Sequence, residues 1–404
     1  MKLQNSAKLV RSGQYTIYNQ YHRTLALVCA CGLLLALTSA CTGQGVASSA
    51  EEQEMISSED LAANSAYTVG VYYYPWYGGN FHGGNYMREH LRPPQPPSLG
   101  EYDDRAPEVI AQHLQWSRAA NVSLWVSSWW GPGRREDNTL LQHILPHAEL
   151  GKMQIGLFYE TSGRIPGFDD VSNVSSDLAH MAANYFAHPN YLRIDGRPVL
   201  FVYLTRVLSR NGMLDEVVTL MRSAATAAGH DLYIVGDQVF GQPTNSSALA
   251  LLDAVTNYDV YGSMGAKGYA GQPAVDAYYV AQAKWQVLAN AAGAAFIPAA
   301  TPGFNDKGVR DGHPAVSRRL TQESEHGTLF RAMLQQAVTY AASATGHMLL
   351  VTSWNEWHED TQIEPVIESA PTTSDDGGGA YSEGLDYEGY GERYLDILWE
   401  ETTR

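Results

Sequence analysis

From Val69 onward the chain alternates short, almost unbroken apolar runs with longer stretches whose apolar residues recur every three or four positions. Eight runs predict strands: VGVYYY (69–74), VSLWVSS (122–128), QIGLFYE (154–160), PVLFVY (198–203), LYIVGD (232–237), DAVTNY (253–258), AAFIPA (294–299) and HMLLVTS (347–353). The segments APEVIAQHLQWSRAA, TLLQHILPHAELG, LDEVVTLMRSAATAAGH, AVDAYYVAQAKWQVLANAAG and TLFRAMLQQAVTYAASATG carry the helical period between them. Strands apolar on both faces belong to a parallel sheet covered by helices. This alternation predicts an α/β fold, a (β/α)8 TIM barrel formed by one domain over residues 67–404, with long loops after strands one and eight. The competing arrangement is an open, doubly wound sheet. It fits less well, because the first strand runs into PWYGGNFHGG and not into a nucleotide-binding glycine fingerprint.

The segment before the barrel follows a different pattern. Lys2, Lys8, Arg11 and Arg23 precede the apolar run LALVCACGLLLALTSA, which reads as a signal peptide over residues 1–41. TSAC resembles a bacterial lipobox, with Thr38 where leucine is usual and Leu37 one position earlier. Cys41 is thus the expected lipidation site, and the expected location is the cell surface or the periplasm, with simple secretion as the alternative. Residues 42–66 are small, polar and acidic, the composition of a flexible tether. Cys29, Cys31 and Cys41 are the three cysteines. A processed chain therefore holds at most one, which excludes an internal disulfide and a thiolate metal site.

Composition narrows the classes. With 45% hydrophobic and 17% charged residues the chain is globular. A net charge of −17 argues against nucleic acid, whose phosphates require a basic face. The 25 Tyr and 9 Trp against 9 Phe favour surfaces half apolar and half wet, such as a sugar cleft.

In a barrel the functional groups sit just past the strand ends. Those positions hold Tyr74, Trp76 and Tyr77, then Ser128, Trp129 and Trp130, then Tyr159 and Glu160, then Tyr258, and TPGFND (301–306) with Arg310. Asp137–Asn138 reads as a helix N-cap. The last strand enters SWNEWHEDTQIEP, which places Glu356 and Glu359 three residues apart among Trp354 and Trp357. On one helical turn their Cβ atoms are roughly 5–6 Å apart. Two carboxyls so close cannot both ionise easily, which leaves a proton donor beside a base, the pairing that glycoside cleavage uses. HEDTQ lacks the second histidine of HExxH, so no metal site is expected.

With these residues in view, the sequence resembles glycoside hydrolase family 99, the endo-α-mannosidase family. The likeness runs through YYYPWYGG, PSLGEYDDRAPEVIAQHLQWSRAANVSLWVSSWWGPG, REDN, HPNYLRIDGRPVLFVY, TPGFND and SWNEWHEDTQIEP. It implies a retaining, endo-acting enzyme on an α-mannan-like glycan that needs no cofactor. By this resemblance Glu359 is the general acid/base, and Glu356 is the base that helps the substrate's own 2-hydroxyl form a 1,2-anhydro sugar. The same likeness places Tyr77, His90, Trp129, Glu160, Tyr258 and Trp357 around the sugar. Asp360 departs from the family pattern, which has glycine there; an added carboxylate at that position could raise the acid's pKa, and aspartate tolerates positive φ better than most residues. Two other readings are a surface lipoprotein that binds glycans without cutting them and an enzyme acting on another α-linked surface polysaccharide. An intact acid pair favours catalysis over binding alone.

Overall fold

The structure, a computed structural model, describes residues 66–81, 85–243 and 246–404. The expected leader with Cys41, and residues 42–65 of the expected tether, lie outside them.

The strands are β1 (Val69–Tyr73), β2 (Val122–Trp129), β3 (Gln154–Tyr159), β4 (Arg197–Val202), β5 (Tyr233–Asp237), β6 (Ala254–Thr256), β7 (Ala295–Phe296), β8 (Ala299–Ala300) and β9 (Leu349–Val351). All pair in parallel, in the order β7-β6-β5-β4-β3-β2-β1-β9-β8. The expected seventh strand is thus present in two pieces. β7 pairs with β6 and β8 with β9, and Ile297–Pro298 steps between them. Proline has no N–H for a ladder, so the strand breaks at that point. Hydrogen bonding bridges the step: Ile297 N donates to Val255 O at 2.9 Å, and Leu350 N donates to Pro298 O at 3.0 Å. This step closes the ring, and the open-sheet alternative is set aside.

Residue parity sorts the aromatic rings of the strands. Pointing inward, Tyr72, Phe158 and Tyr258 meet with ring centroids 4.8–5.2 Å apart and plug the barrel. Pointing outward, Tyr73 stacks on Trp125 at 4.2 Å, and Trp125 Nε1 donates to Ser117 of the first long helix. The covering helices are α1 (Pro107–Ala119), α2 (Val174–Asn184), α3 (Leu214–Ala227), α4 (Gly271–Ala291), α5 (Thr328–Tyr340) and α6 (Arg393–Thr402). The helix expected over TLLQHILPHAELG is shorter and irregular: an α turn at Arg135–Thr139 followed by a π turn at Leu140–Ile144.

Both expected long loops are present, and they meet. The loop after β1 holds a 3-10 turn at Met87–Glu89, and the loop after β9 folds into an antiparallel pair, β10 (Val366–Thr372) with β11 (Tyr387–Gly391). Isolated bridges join Leu91 to Asp375 and Pro97 to Val366. Met87, Leu91, Ala315, Leu385 and Tyr387 form a small apolar cluster of their own where these loops and the loop after β8 come together.

Candidate active site

The end of β9 is fastened to the end of β1 before the chain turns. Trp354 N donates to Tyr72 O at 2.8 Å, and the Asn355 side chain takes both ends of one residue, accepting from Tyr74 N (2.7 Å) and donating to Tyr74 O (3.1 Å). Residues Trp357–Glu359 then form one 3-10 turn. Glu356 is its N-cap: the Glu356 N–H donates to Ser353 Oγ at 2.9 Å, and the Glu356 carboxylate accepts from His358 N at 3.0 Å. The two glutamates therefore share a turn as expected, but Glu356 starts it from a non-helical backbone position.

Their surroundings differ. Glu356 is buried, and burial first, then the neighbouring Glu359, pushes its carboxyl well above the ordinary range. Its Oε1 lies 2.9 Å from His358 Nδ1, a contact that needs one hydrogen, from either the imidazole or the carboxylic acid. Burial holds His358 down to about 4, so the ring is neutral at pH 7. Glu359 keeps 16% of its side-chain surface exposed and forms an ion pair with Arg310, which also lies 2.8 Å from Asp306. Its second oxygen, Oε2, has no hydrogen-bond partner among the described residues.

Asp360 turns the other way. Its backbone is left-handed (φ 48°), the conformation expected where the pattern has glycine. Burial alone would raise its carboxyl, but Arg318 and Arg88 outweigh that and hold it below the ordinary range. Its charge is matched by two guanidinium groups.

Other acids face the mouth. Burial pushes Glu160 up to about 8, only partly offset by a 2.6 Å hydrogen bond from Ser128 Oγ, and Glu136, Glu356 and Glu359 add to the rise. Glu136 is pushed up to about 7 and Asp259 to about 6, burial being the main cause for each. Trp130 Nε1 donates to Ser128 Oγ at 2.9 Å, so Trp130, Ser128 and Glu160 form a chain of hydrogen bonds. Tyr258 hydrogen-bonds to Tyr74 through their hydroxyls, and its N–H donates to Asp237 at 3.0 Å. Asp237 is in turn ion-paired with Arg206.

The expected sugar-facing residues divide into two groups. Glu160 and Tyr258 stand with the two glutamates in one electrostatic neighbourhood. His90 lies on the outer rim, stacked on Tyr381 at 3.8 Å and 3.1 Å from Asp376. Trp129, Tyr77 and Trp357 present no open ring face. Trp129 points outward to Asp137, where its Nε1 donates at 2.9 Å. Tyr77 OH donates to Asn355 O and accepts from Trp357 N. Trp357 Nε1 donates to the buried Glu364. These three brace the turn and the second strand from behind. Asp137 is a hub and not an N-cap: it lies within its short helix and accepts from Trp129, Gly133 N and Tyr185.

Trp76 and His358 were not singled out as site residues from sequence. Trp76 is partly exposed and meets His358 edge-on at 5.5 Å and Tyr74 at 4.6 Å. The signal for His358 was its place between the two glutamates.

A closed barrel whose mouth holds carboxyls in unlike charge states, ringed by indoles and phenols, has the equipment of a glycosidase. Residues 93–396, well over half of the chain, match glycosyl hydrolase family 99, and the chain belongs to that family. It is similar to the glycoprotein endo-alpha-1,2-mannosidase of Rattus norvegicus (26% identity over 344 residues, 74% of this chain and 68% of that relative). The enzyme of the same name from Mus musculus is 24% identical over 369 residues, covering 82% of this chain and 74% of its own length. Among solved structures, the GH99 endo-alpha-mannosidase from Bacteroides thetaiotaomicron shares the fold at a TM-score of 0.55 and 19% identity, over 83% of this chain and 95% of that one.

Proposed function

We propose that this glycosidase cleaves α-mannosidic bonds within a glycan, with retention, by catalysis through the substrate's own 2-hydroxyl. Glu359 donates its proton to the leaving oxygen as the C1–O bond breaks. Glu356 takes the proton of the 2-hydroxyl as O2 bonds to C1, giving a 1,2-anhydro sugar. Water then attacks C1 as the C1–O2 bond breaks, Glu359 takes a proton from that water, and Glu356 returns its proton to O2. The placement of both carboxyls on one turn carries this reading. A carboxylate nucleophile would have to reach the opposite face of the ring, and two acids on one turn are poorly placed to straddle it. The unpartnered Oε2 of Glu359 supports its role, since such an oxygen meets its partner when substrate arrives. We further propose export of the enzyme on a lipid anchor at Cys41.

One observation favours a second reading in which the roles are exchanged: burial favours the neutral form at Glu356, while Glu359 is ion-paired with Arg310. Leaving-group dependence separates the two. An α-mannobiosyl fluoride needs no acid, so Glu359→Gln should cleave it far better than it cleaves an α-mannan oligosaccharide, while Glu356→Gln should cleave neither. The opposite result assigns the acid to Glu356. Inactivity of the native enzyme on every α-mannoside in a glycan panel would remove the substrate assignment.

A further inference from the structure

The residue after Glu359 is tied down more heavily than Glu359 itself. Asp360 Oδ1 accepts from Arg88 Nε at 2.5 Å and from Gln362 Nε2 at 3.1 Å. Arg318 reaches three acceptors at once with Nη2: the Asp360 carbonyl (2.8 Å), its carboxylate (3.3 Å) and Gln362 O (2.9 Å). Both arginines are about as buried as Asp360. Arg88 comes from the loop after β1 and Arg318 from the loop after β8. Tyr390 of β11 lies against both guanidinium groups, at 5.1 and 5.0 Å, and Tyr394 of α6 lies against Arg318 at 4.9 Å. On the other side of the same peptide, the Glu359 carbonyl accepts from Asn305 N at 2.8 Å. Two loops therefore converge on one residue in a left-handed backbone, next to the proposed acid, and β11 and α6 pack against the arginines they bring.

We propose that Asp360 is a positioning residue for Glu359. Its carboxylate draws Arg88 and Arg318 beneath the turn, and this fixes the peptide that aims Glu359 into the cleft and leaves it ion-paired with Arg310. Glycine at this position would accept the same φ but offer nothing to hold it. Two adjacent acids, each matched to its own arginines, cannot exchange partners without unwinding the turn. The functional half of this inference rests on Glu359 acting as acid/base.

The test uses Asp360→Asn, which keeps size and tolerance of positive φ but removes the charge. Glutamate-carboxyl NMR of the whole protein at one fixed pH follows the Glu359 signal, assigned by its loss in Glu359→Gln, alongside kcat and KM on an α-mannan oligosaccharide. In folded Asp360→Asn the Glu359 signal should move. Its kcat should fall by about tenfold to a hundredfold with KM nearly unchanged, as a misdirected catalytic group predicts. Arg318→Lys keeps the charge but loses the Nε contact to the Asp360 carboxylate and the planar fork, so it should show the same changes, smaller. It also serves as the deciding variant if Asp360→Asn does not fold. A Glu359 signal and a kcat per folded molecule equal to wild type would overturn the inference and leave Asp360 as packing alone. If the native enzyme cleaves no α-mannoside, the functional reading fails by itself, and the NMR comparison still decides the positioning claim.

Discussion

The floor of the barrel and its mouth are equally dry, yet they are built from opposite materials. At the floor, Leu124 and Leu350 meet over Gly70 and exclude water with side chains that ask for no partner. At the mouth, Glu160, Glu356, Asp360, Arg88 and Arg318 are as deeply enclosed, and the charge each carries or gives up is decided by its neighbours. The difference shows where stability and chemistry are kept apart. Trimming the floor should cost folding and leave the reaction alone, while editing the mouth should cost the reaction and can even relieve strain.

The sharpest test of that contrast is at the two glutamates. Glu356→Gln and Glu359→Gln should each lower kcat on α-mannan oligosaccharides by about 10²–10⁴-fold, while their melting temperatures stay near wild type or, for Glu356, rise. Full activity in either variant would break the comparison. Leu350→Ala, on the floor, should destabilise by about 2–5 kcal/mol through the cavity it leaves, measured by denaturant unfolding, with kcat per folded molecule unchanged. Glu160 gives a pH-resolved version. Its carboxyl is raised to about 8, so the stability tied to its neutral form is complete below its ordinary value of 4.5 and is lost as pH climbs through 8. Glu160→Gln cannot ionise, so it should melt with wild type near pH 4 and above it at pH 9. The smallest effect is expected from Trp129→Phe, which loses one buried hydrogen bond, about 1–2 kcal/mol. KM should not move, and a large rise in KM would return Trp129 to the cleft.

Much of this was legible beforehand where the signal was local. Seven strands read directly because their apolar runs are unbroken. The seventh, AAFIPA, carried its own warning in Pro298, but only ring closure shows that the two halves serve different neighbours. Helix α2 went unnamed because VSSDLAHMAAN is mostly small and polar, although Val174, Leu178 and Met181 keep the helical spacing and are buried. The acid pair was visible because nothing structural demands two glutamates three residues apart beside two tryptophans. Which aromatic rings open to the cleft was not visible, because that depends on parity. Ser128 and its partner Glu160 line the mouth, whereas Trp129, one step along β2, faces the helical layer. The partners of Asp360 come from residues 88 and 318, and no window of sequence contains them together.

That long reach has a consequence for biosynthesis. The ribosome delivers Arg88 some 272 residues before the carboxylate that answers it, so a nascent chain carries that unmatched cation beside an unclosed ring. Assembly of the reactive centre must therefore be among the last events in maturation, and a polypeptide halted before residue 349 would possess most of a scaffold and none of the catalyst.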